Sequence, residues 1–379
     1  MSFPHALGTG IIAQTEQDLD PQPPSGDDLD AILEFARTHH GPSLYDGIDM
    51  FIDDYETALS RFRSDSTVTA MARAEHGGTF AFPDWAAPLF DLIDLLCEAT
   101  GGAIDPCVGE DLIRLGYDAQ YSFTTMPDTT GHLGAIHGRA TWRDDVTRAG
   151  ERGTTLVTHR PVSLDFGACG KGYLVDLIAK RLHDDHAGAF VIDAGGDLFV
   201  DAGARDGSAE PVVIALEDPS DADRAIGTAN VARGAFCASA PSRRRWNARI
   251  PGESETIAIH HLLNAVDGRP VDDVAATWAT VPMPHDVTVS RETVTREASQ
   301  TQDSPATSPH RDAATGPILT AYPTALADGL ATALFVTTPN ELHGRITTLA
   351  PGLTFECAVL NADHTAVVSS EFPGTLFTA

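Results

Sequence analysis

Apolar residues recur at helical spacing in several stretches of this chain, and elsewhere alternate with polar ones or run together. In "WAAPLFDLIDLLCEAT", Leu89, Leu92, Ile93 and Leu96 fall on one helical face, and Gly101 and Gly102 end the run. The same spacing predicts helices over 28–38 and 46–62, after Gly172 (Leu174, Leu177, Ile178, Leu182), and in "AYPTALADGLATALFV". "PVSLDF", "AFVIDAGGDLFVD" and "PVVIALED" read as strands, and "TFECAVLNADHTAVVSS" as a closing hairpin. Residues 6–13 form a short apolar segment before an acidic, proline-containing loop, "TEQDLDPQPPSGDD". Residues 290–316 are polar and proline-containing, with apolar pattern resuming on both sides. They predict a disordered or surface insertion within one domain spanning 1–379. Helices and strands interleave without βαβ spacing or internal repeats, which predicts an α+β fold of mixed or antiparallel sheets packed with helices.

Charge narrows the function. Lys and Arg number 25 against 54 Asp and Glu, a net charge of −29, which argues against a nucleic-acid partner because phosphate backbones select basic clusters. The acids are spread along the whole chain and only two lysines occur, Lys171 and Lys180. That pattern suits a surface adapted to concentrated salt, where screening removes self-repulsion. The cysteines at 97, 107, 169, 237 and 357 are odd in number and widely spaced, which points to free thiols rather than a disulfide framework. The opening "MSFPHALGTGIIAQ" has no basic and apolar leader pattern, and no stretch reaches membrane-spanning length. A cytoplasmic protein of a halophile, not inserted in a membrane, is expected.

The chemistry concentrates in a few turns. "SLDFGACGKGYLVD" is not a P-loop: Asp165 stands where the first glycine belongs, and Gly172 follows the lysine in place of Ser or Thr. It reads as a strand, a glycine turn and a helix beginning near Lys171. Glycine backbone freedom alone explains the turn, but not a lysine kept by a chain that avoids lysine. A helix N-terminus with Lys171 beside it favours an anionic ligand. In "ALADGLATALF", Asp328 and Thr332 share a helical face, away from Leu326, Leu330 and Leu334. Together they offer two oxygen ligands to a hard cation such as Mg²⁺, or are merely a solvated acid and a back-bonding threonine. His260 and His261 precede a short apolar strand and an Asp267-Gly268 turn, where a histidine is a base or a packing residue.

Taken in order, these pieces resemble the ApbE-type FAD:protein FMN transferases over nearly the whole chain. "ALGT" resembles the family's opening Met-Gly-Thr strand, and "LSRFRSDSTVTAM" its Ser-x-[Phe/Tyr]-Arg-x-Asp-Ser segment. "TGGAIDPCVG", "LDFGACGKGYLVD", "VIDAGGDL", "HLLNAVDGRPV" and "ADGLATALFV" resemble five further motifs in the family's order. The resemblance implies an ApbE-like flavin transferase fold and an enzyme that takes FAD and Mg²⁺. It would attach FMN to a Thr or Ser of an acceptor flavoprotein and release AMP. It also implies Asp328, Thr332 and the Ala168 carbonyl as Mg²⁺ ligands, and Asp165 and Lys171 as contacts to FAD. Leu7, Phe62, Ala103, Ile104 and Asp105 would line the flavin and adenosine pockets, with His261 as the base or as a residue positioning FAD. Ala168 replaces a family glycine, Ala265 a proline and Asp267 a threonine, and "CASAPSRRRW" keeps only Ser239 and the trailing arginines. An FAD pyrophosphatase and a non-catalytic FAD-binding protein are the alternatives. The acceptor's identity, and whether the chain is a monomer or a homodimer, are left open.

Overall fold

A computed structural model describes residues 1–16, 43–185, 187–203, 209–249, 256–283 and 319–377. The helix expected over 28–38, nearly all of the acidic loop before it and the insertion at 290–316 lie outside these residues.

The central layer is an eight-stranded sheet. Its strands are β1 (Ser2–Phe3), β2 (Ile11–Thr15), β3 (Phe190–Asp193), β4 (Asp197–Asp201), β5 (Arg233–Ser239), β6 (Val274–Pro282), β7 (Glu356–Asn361) and β8 (Ala366–Val368). They lie side by side in chain order, each antiparallel to the next. Side chains of a strand point alternately to its two faces, and in the middle of this sheet both faces are buried. On β5, Ala235 and Cys237 join the helix-side core while Phe236 joins the opposite one. On β6, Ala279 and Val281 take the first side, Ala276 and Trp278 the second. The second face is covered by a three-stranded antiparallel sheet, Val212–Asp218, Asp221–Val231 and Gly374–Leu376, through Leu216, Ala229 and Val231.

Helices α1 (Leu44–Leu59), α2 (Ala87–Ala99), α3 (Gly170–Asp184) and α4 (Pro323–Ala333) build the other layer. A capping box starts α1: Ser43 Oγ accepts from the Asp46 amide at 3.0 Å, and Asp46 accepts from the Ser43 amide at 3.3 Å. Helix α4 is buried nearly all round, pressed on β5 and β6 and against α3 and α2. Its Asp328 is 1% exposed, so the solvated-acid reading does not hold.

Helices α3 and α4 serve each other's first turns. Asp176 of α3 accepts from the amides of Thr324 (3.0 Å) and Ala325 (2.8 Å) at the start of α4. Asp328 of α4 accepts from the Gly172 amide at 3.1 Å, in the first turn of α3. This contact explains the second glycine of "GKG": a Cβ at residue 172 would lie 2.3 Å from the Thr324 carbonyl oxygen and 2.9 Å from Asp328 Cβ. Glycine is needed here for close approach, not for its dihedral freedom.

Two expectations are corrected. "PVSLDF" is not a strand; residues 161–166 bury Val162, Leu164 and Phe166 alternately but join no ladder. One-sided packing produced the alternation, and the Asp165 amide donates instead to the Pro106 carbonyl at 2.7 Å. "ALGT" is a turn rather than a strand, with a 3₁₀ segment over Ala6–Gly8 that places Leu7 at φ 51°. All five cysteines are free thiols, and four are buried. No helix among the described residues is long and apolar enough to cross a membrane.

Candidate active site

One cavity of about 780 Å³ opens where the helix layer, the sheet and the connecting turns meet. All eleven residues singled out from the sequence line it: Leu7, Phe62, Ala103, Ile104, Asp105, Asp165, Ala168, Lys171, His261, Asp328 and Thr332. They come from six separated segments. Leu7 is held in its left-handed conformation by its amide, which donates to Glu56 Oε1 of α1 at 2.7 Å. Phe62 follows the end of α1 and stacks on Tyr121 with ring centroids 5.3 Å apart. Ala103 and Ile104 follow the Gly101-Gly102 turn, whose φ values of 64° and 87° suit glycine. The Asp105 carboxylate is committed to protein, accepting from the amides of Cys107 (2.8 Å) and Trp142 (3.0 Å).

At one end lies an oxygen-rich cluster. Thr332 Oγ1 donates to the Ala168 carbonyl at 3.3 Å and lies 3.5 Å from Ser239 Oγ. One turn earlier on the same face, Asp328 lies 3.4 Å from Lys171 Nζ, which also pairs with Asp197 at 2.8 Å. Burial, and then the nearby Asp197 charge, push the Asp328 carboxyl above the usual carboxylate range. Burial disfavours the charge on Lys171, but Asp197 and Asp328 more than offset it and hold its pKa above the ordinary lysine value. The lysine expected at a phosphate therefore sits between two acids. Asp197, in the Gly-Gly-Asp stretch, is a member of the cluster to which the sequence reading gave no role.

A second group surrounds His261. Asp165 forms an ion pair through Arg61 Nε, and Arg61 Nη1 donates to the Tyr117 carbonyl at 2.7 Å. Burial would raise the Asp165 pKa; Arg61 outweighs it and holds the carboxyl below its usual range. The buried Nδ1 of His261 has no hydrogen-bond partner. Burial, then the charges of Arg244 and Lys171, lower its pKa to about 3, so the imidazole is neutral at physiological pH and can accept a proton. Arg61, Tyr117 and Arg244 all line the cavity and were not singled out from the sequence. In "SRFR" and "SRRRW" nothing in the spacing separates an inward arginine from its outward neighbours.

Among the described residues, no group of three or more His, Cys, Asp or Glu side chains is placed to hold a metal. A cation here would rely on one carboxylate, a hydroxyl and a backbone carbonyl. That donor set is all oxygen, and fits Mg²⁺, which keeps several waters and takes further oxygens from a phosphate substrate.

Comparison with known proteins bears on the family and the fold. The ApbE family profile matches residues 31–288. FAD:protein FMN transferase of Treponema pallidum is 24% identical over 235 residues, 58% of this chain and 61% of that protein. The protein of the same description from Vibrio cholerae is 22% identical over 234 residues, 61% of this chain and 66% of that one. The chain thus spans about three fifths to two thirds of the length of these curated relatives. In three dimensions it is similar to the flavin transferase ApbE of Vibrio cholerae, with TM-score 0.64, 20% identity, and 98% and 97% of the two chains covered. It is equally similar to the ApbE protein of Thermotoga maritima, with TM-score 0.64, 17% identity, and 96% and 95% covered. These structural likenesses establish the fold, and with the family match over most of its length, this chain belongs to the ApbE family.

Proposed function

We propose that this protein is a Mg²⁺-dependent FAD:protein FMN transferase, acting in the cytoplasm of a salt-adapted cell. One observation carries the reading: a single cavity joins a neutral, half-buried His261 to the all-oxygen group of Asp328, Thr332 and the Ala168 carbonyl. The curated relatives' description supplies the chemistry.

The acceptor's Thr or Ser hydroxyl oxygen forms a bond to the FMN phosphorus of FAD as the P–O–P bridge breaks, and AMP leaves with the bridging oxygen. His261 takes the hydroxyl proton. Its low basicity reflects burial and two neighbouring cations, Arg244 and Lys171, whose charge a bound diphosphate offsets. Binding of substrate therefore raises the basicity of His261 when a base is needed. Asp328, Thr332 and the Ala168 carbonyl would hold Mg²⁺, which supplies charge neutralisation to the phosphates when bound. Phe62 and Tyr121 offer aromatic faces, and Leu7, Ala103 and Ile104 apolar contacts, for the ring systems.

The test uses the full chain in multimolar KCl with FAD, Mg²⁺ and an acceptor domain bearing a target threonine. AMP release together with flavin fluorescence on the acceptor after denaturing electrophoresis is expected. AMP without flavinylated acceptor means a pyrophosphatase, and bound FAD without AMP means a non-catalytic flavin-binding protein.

A further inference from the structure

Buried cations normally have a carboxylate beside them, and this chain has acids in excess. The buried Arg139 follows that rule, paired with Asp111, and even the partly exposed arginines at 63, 114 and 148 each pair with an Asp. Arg244 does not. It follows the short turn Pro241–Arg243, is half-buried, and lines the cavity. Its Nη1 donates to the Tyr117 hydroxyl, and no carboxylate among the described residues forms an ion pair with it. Burial, and next the charge of Arg61, lower its pKa from that of a free guanidinium.

Arg61 shows the complementary feature. Its Nε and Nη1 are taken by Asp165 and the Tyr117 carbonyl, while Nη2 is buried without a partner, on a side chain 6% exposed. Both guanidinium groups lie over the Tyr117 ring, with Cζ 4.9 Å (Arg61) and 5.6 Å (Arg244) from its centroid. Two groups that repel each other are thus held against one ring and one cavity wall. Asp165 neutralises only one of them.

We propose that Arg61 Nη2 and Arg244 clamp an oxyanion at the Tyr117 end of the cavity, a phosphate oxygen of the bound dinucleotide. The inference deepens the flavin-dinucleotide reading and rests on it. An anion there satisfies the orphaned donor, offsets the repulsion between the arginines, and meets a planar fork suited to phosphate oxygens. Arg244 also bears on His261, so the clamped phosphate would lie within electrostatic reach of the proposed base. Two arginines then hold the phosphate, whereas Lys171 is occupied by Asp197 and Asp328.

Calorimetry with inorganic pyrophosphate, and separately with uncharged riboflavin, tests this in EDTA and one fixed KCl buffer. Arg244→Gln should weaken pyrophosphate binding at least tenfold and leave riboflavin affinity within twofold, with Arg244→Lys intermediate. Arg61→Lys keeps a charge for Asp165 but removes Nη2 along with the Nη1 bond to the Tyr117 carbonyl, and should weaken pyrophosphate severalfold, with the melting temperature reporting separately what the lost carbonyl bond costs. The proposal is overturned if wild type binds no pyrophosphate, or if both glutamine and lysine variants bind it as wild type does. It also falls if riboflavin is weakened equally, or if Arg244→Gln changes only the KM for the acceptor. Failure of the flavin reading looks different: wild type would retain pyrophosphate binding, lost in Arg244→Gln, yet neither bind nor cleave FAD.

Discussion

At the residue scale, His261 and Lys171 owe their behaviour to what surrounds them. An unperturbed histidine titrates near pH 6.5, but His261 is pulled to about 3. Its imidazole is therefore already neutral in the free enzyme across pH 5–8, and kcat/KM should show no inflection near 6.5 from this group. His261→Asn should lower kcat about 10²- to 10⁴-fold while FAD affinity stays close to wild type. The same shift affects stability. Between about pH 6.5 and 3 the unfolded chain binds a proton at His261 that the folded one refuses, so this group lowers stability as pH falls through that window. Asp176 acts in the opposite sense: burial pushes its carboxyl up to about 7, against its hydrogen bonds to Thr324 and Ala325. Its contribution falls as pH rises from about 4 to 7, because the folded state then holds the proton more tightly. Chemical denaturation at pH 4, 5.5 and 7 on wild type and His261→Asn should show the wild type alone losing the histidine contribution. Lys171→Met leaves Asp197 and Asp328 facing each other without their cation, at a cost of about 1–3 kcal/mol. Added Mg²⁺ should raise the melting temperature of that variant more than that of wild type.

At the scale of elements, the helices were legible, as were strands β3, β4, β7 and β8, whereas β5 and β6 at the middle of the sheet were not. Helices α2, α3 and α4 carry apolar residues at helical spacing between glycine or proline boundaries, and they form where the pattern predicts. Strands β5 and β6 gave no alternation to read, because "GAFCAS" and "VAATWATVP" are buried on both faces. "PVSLDF" alternates without being in a sheet. The site residues were legible only through the order of their motifs. Their company was not: Arg61, Arg244 and Tyr117 reach the cavity, and Asp197 reaches Lys171 behind it, through long-range packing that local spacing does not encode. The α3–α4 contact is the most sensitive of these packings. Gly172→Ala should lower stability by about 1–3 kcal/mol through overpacking against Thr324. It should also displace Asp328 from the Gly172 amide, so that loss of activity exceeds what the melting temperature alone explains.

At the scale of the whole molecule, the net charge of −29 sets the solution conditions in which these sites can be assayed. In dilute buffer the acids repel over about 30 Å at 0.01 M salt, a range that shrinks to about 3 Å at 1 M. The melting temperature should therefore rise steadily from dilute buffer to molar KCl; a flat response would remove the salt-adapted reading. The order of the sheet has a consequence in time. Strands β3 to β6 pair with partners close by in the chain, but β2 meets β3 only after residues 16–189 have been made. At synthesis rates of 5–20 residues per second, β1 and β2 wait on the order of ten to thirty seconds for their neighbour. For that interval Phe3, Ile11 and Ala13, fully buried in the finished fold, have no sheet to cover them. The strand edge that will later carry the Leu7 wall of the cavity is then a sticky end. A nascent chain of this protein should depend on a chaperone during that wait, and its ligand pocket should be among the last features to close.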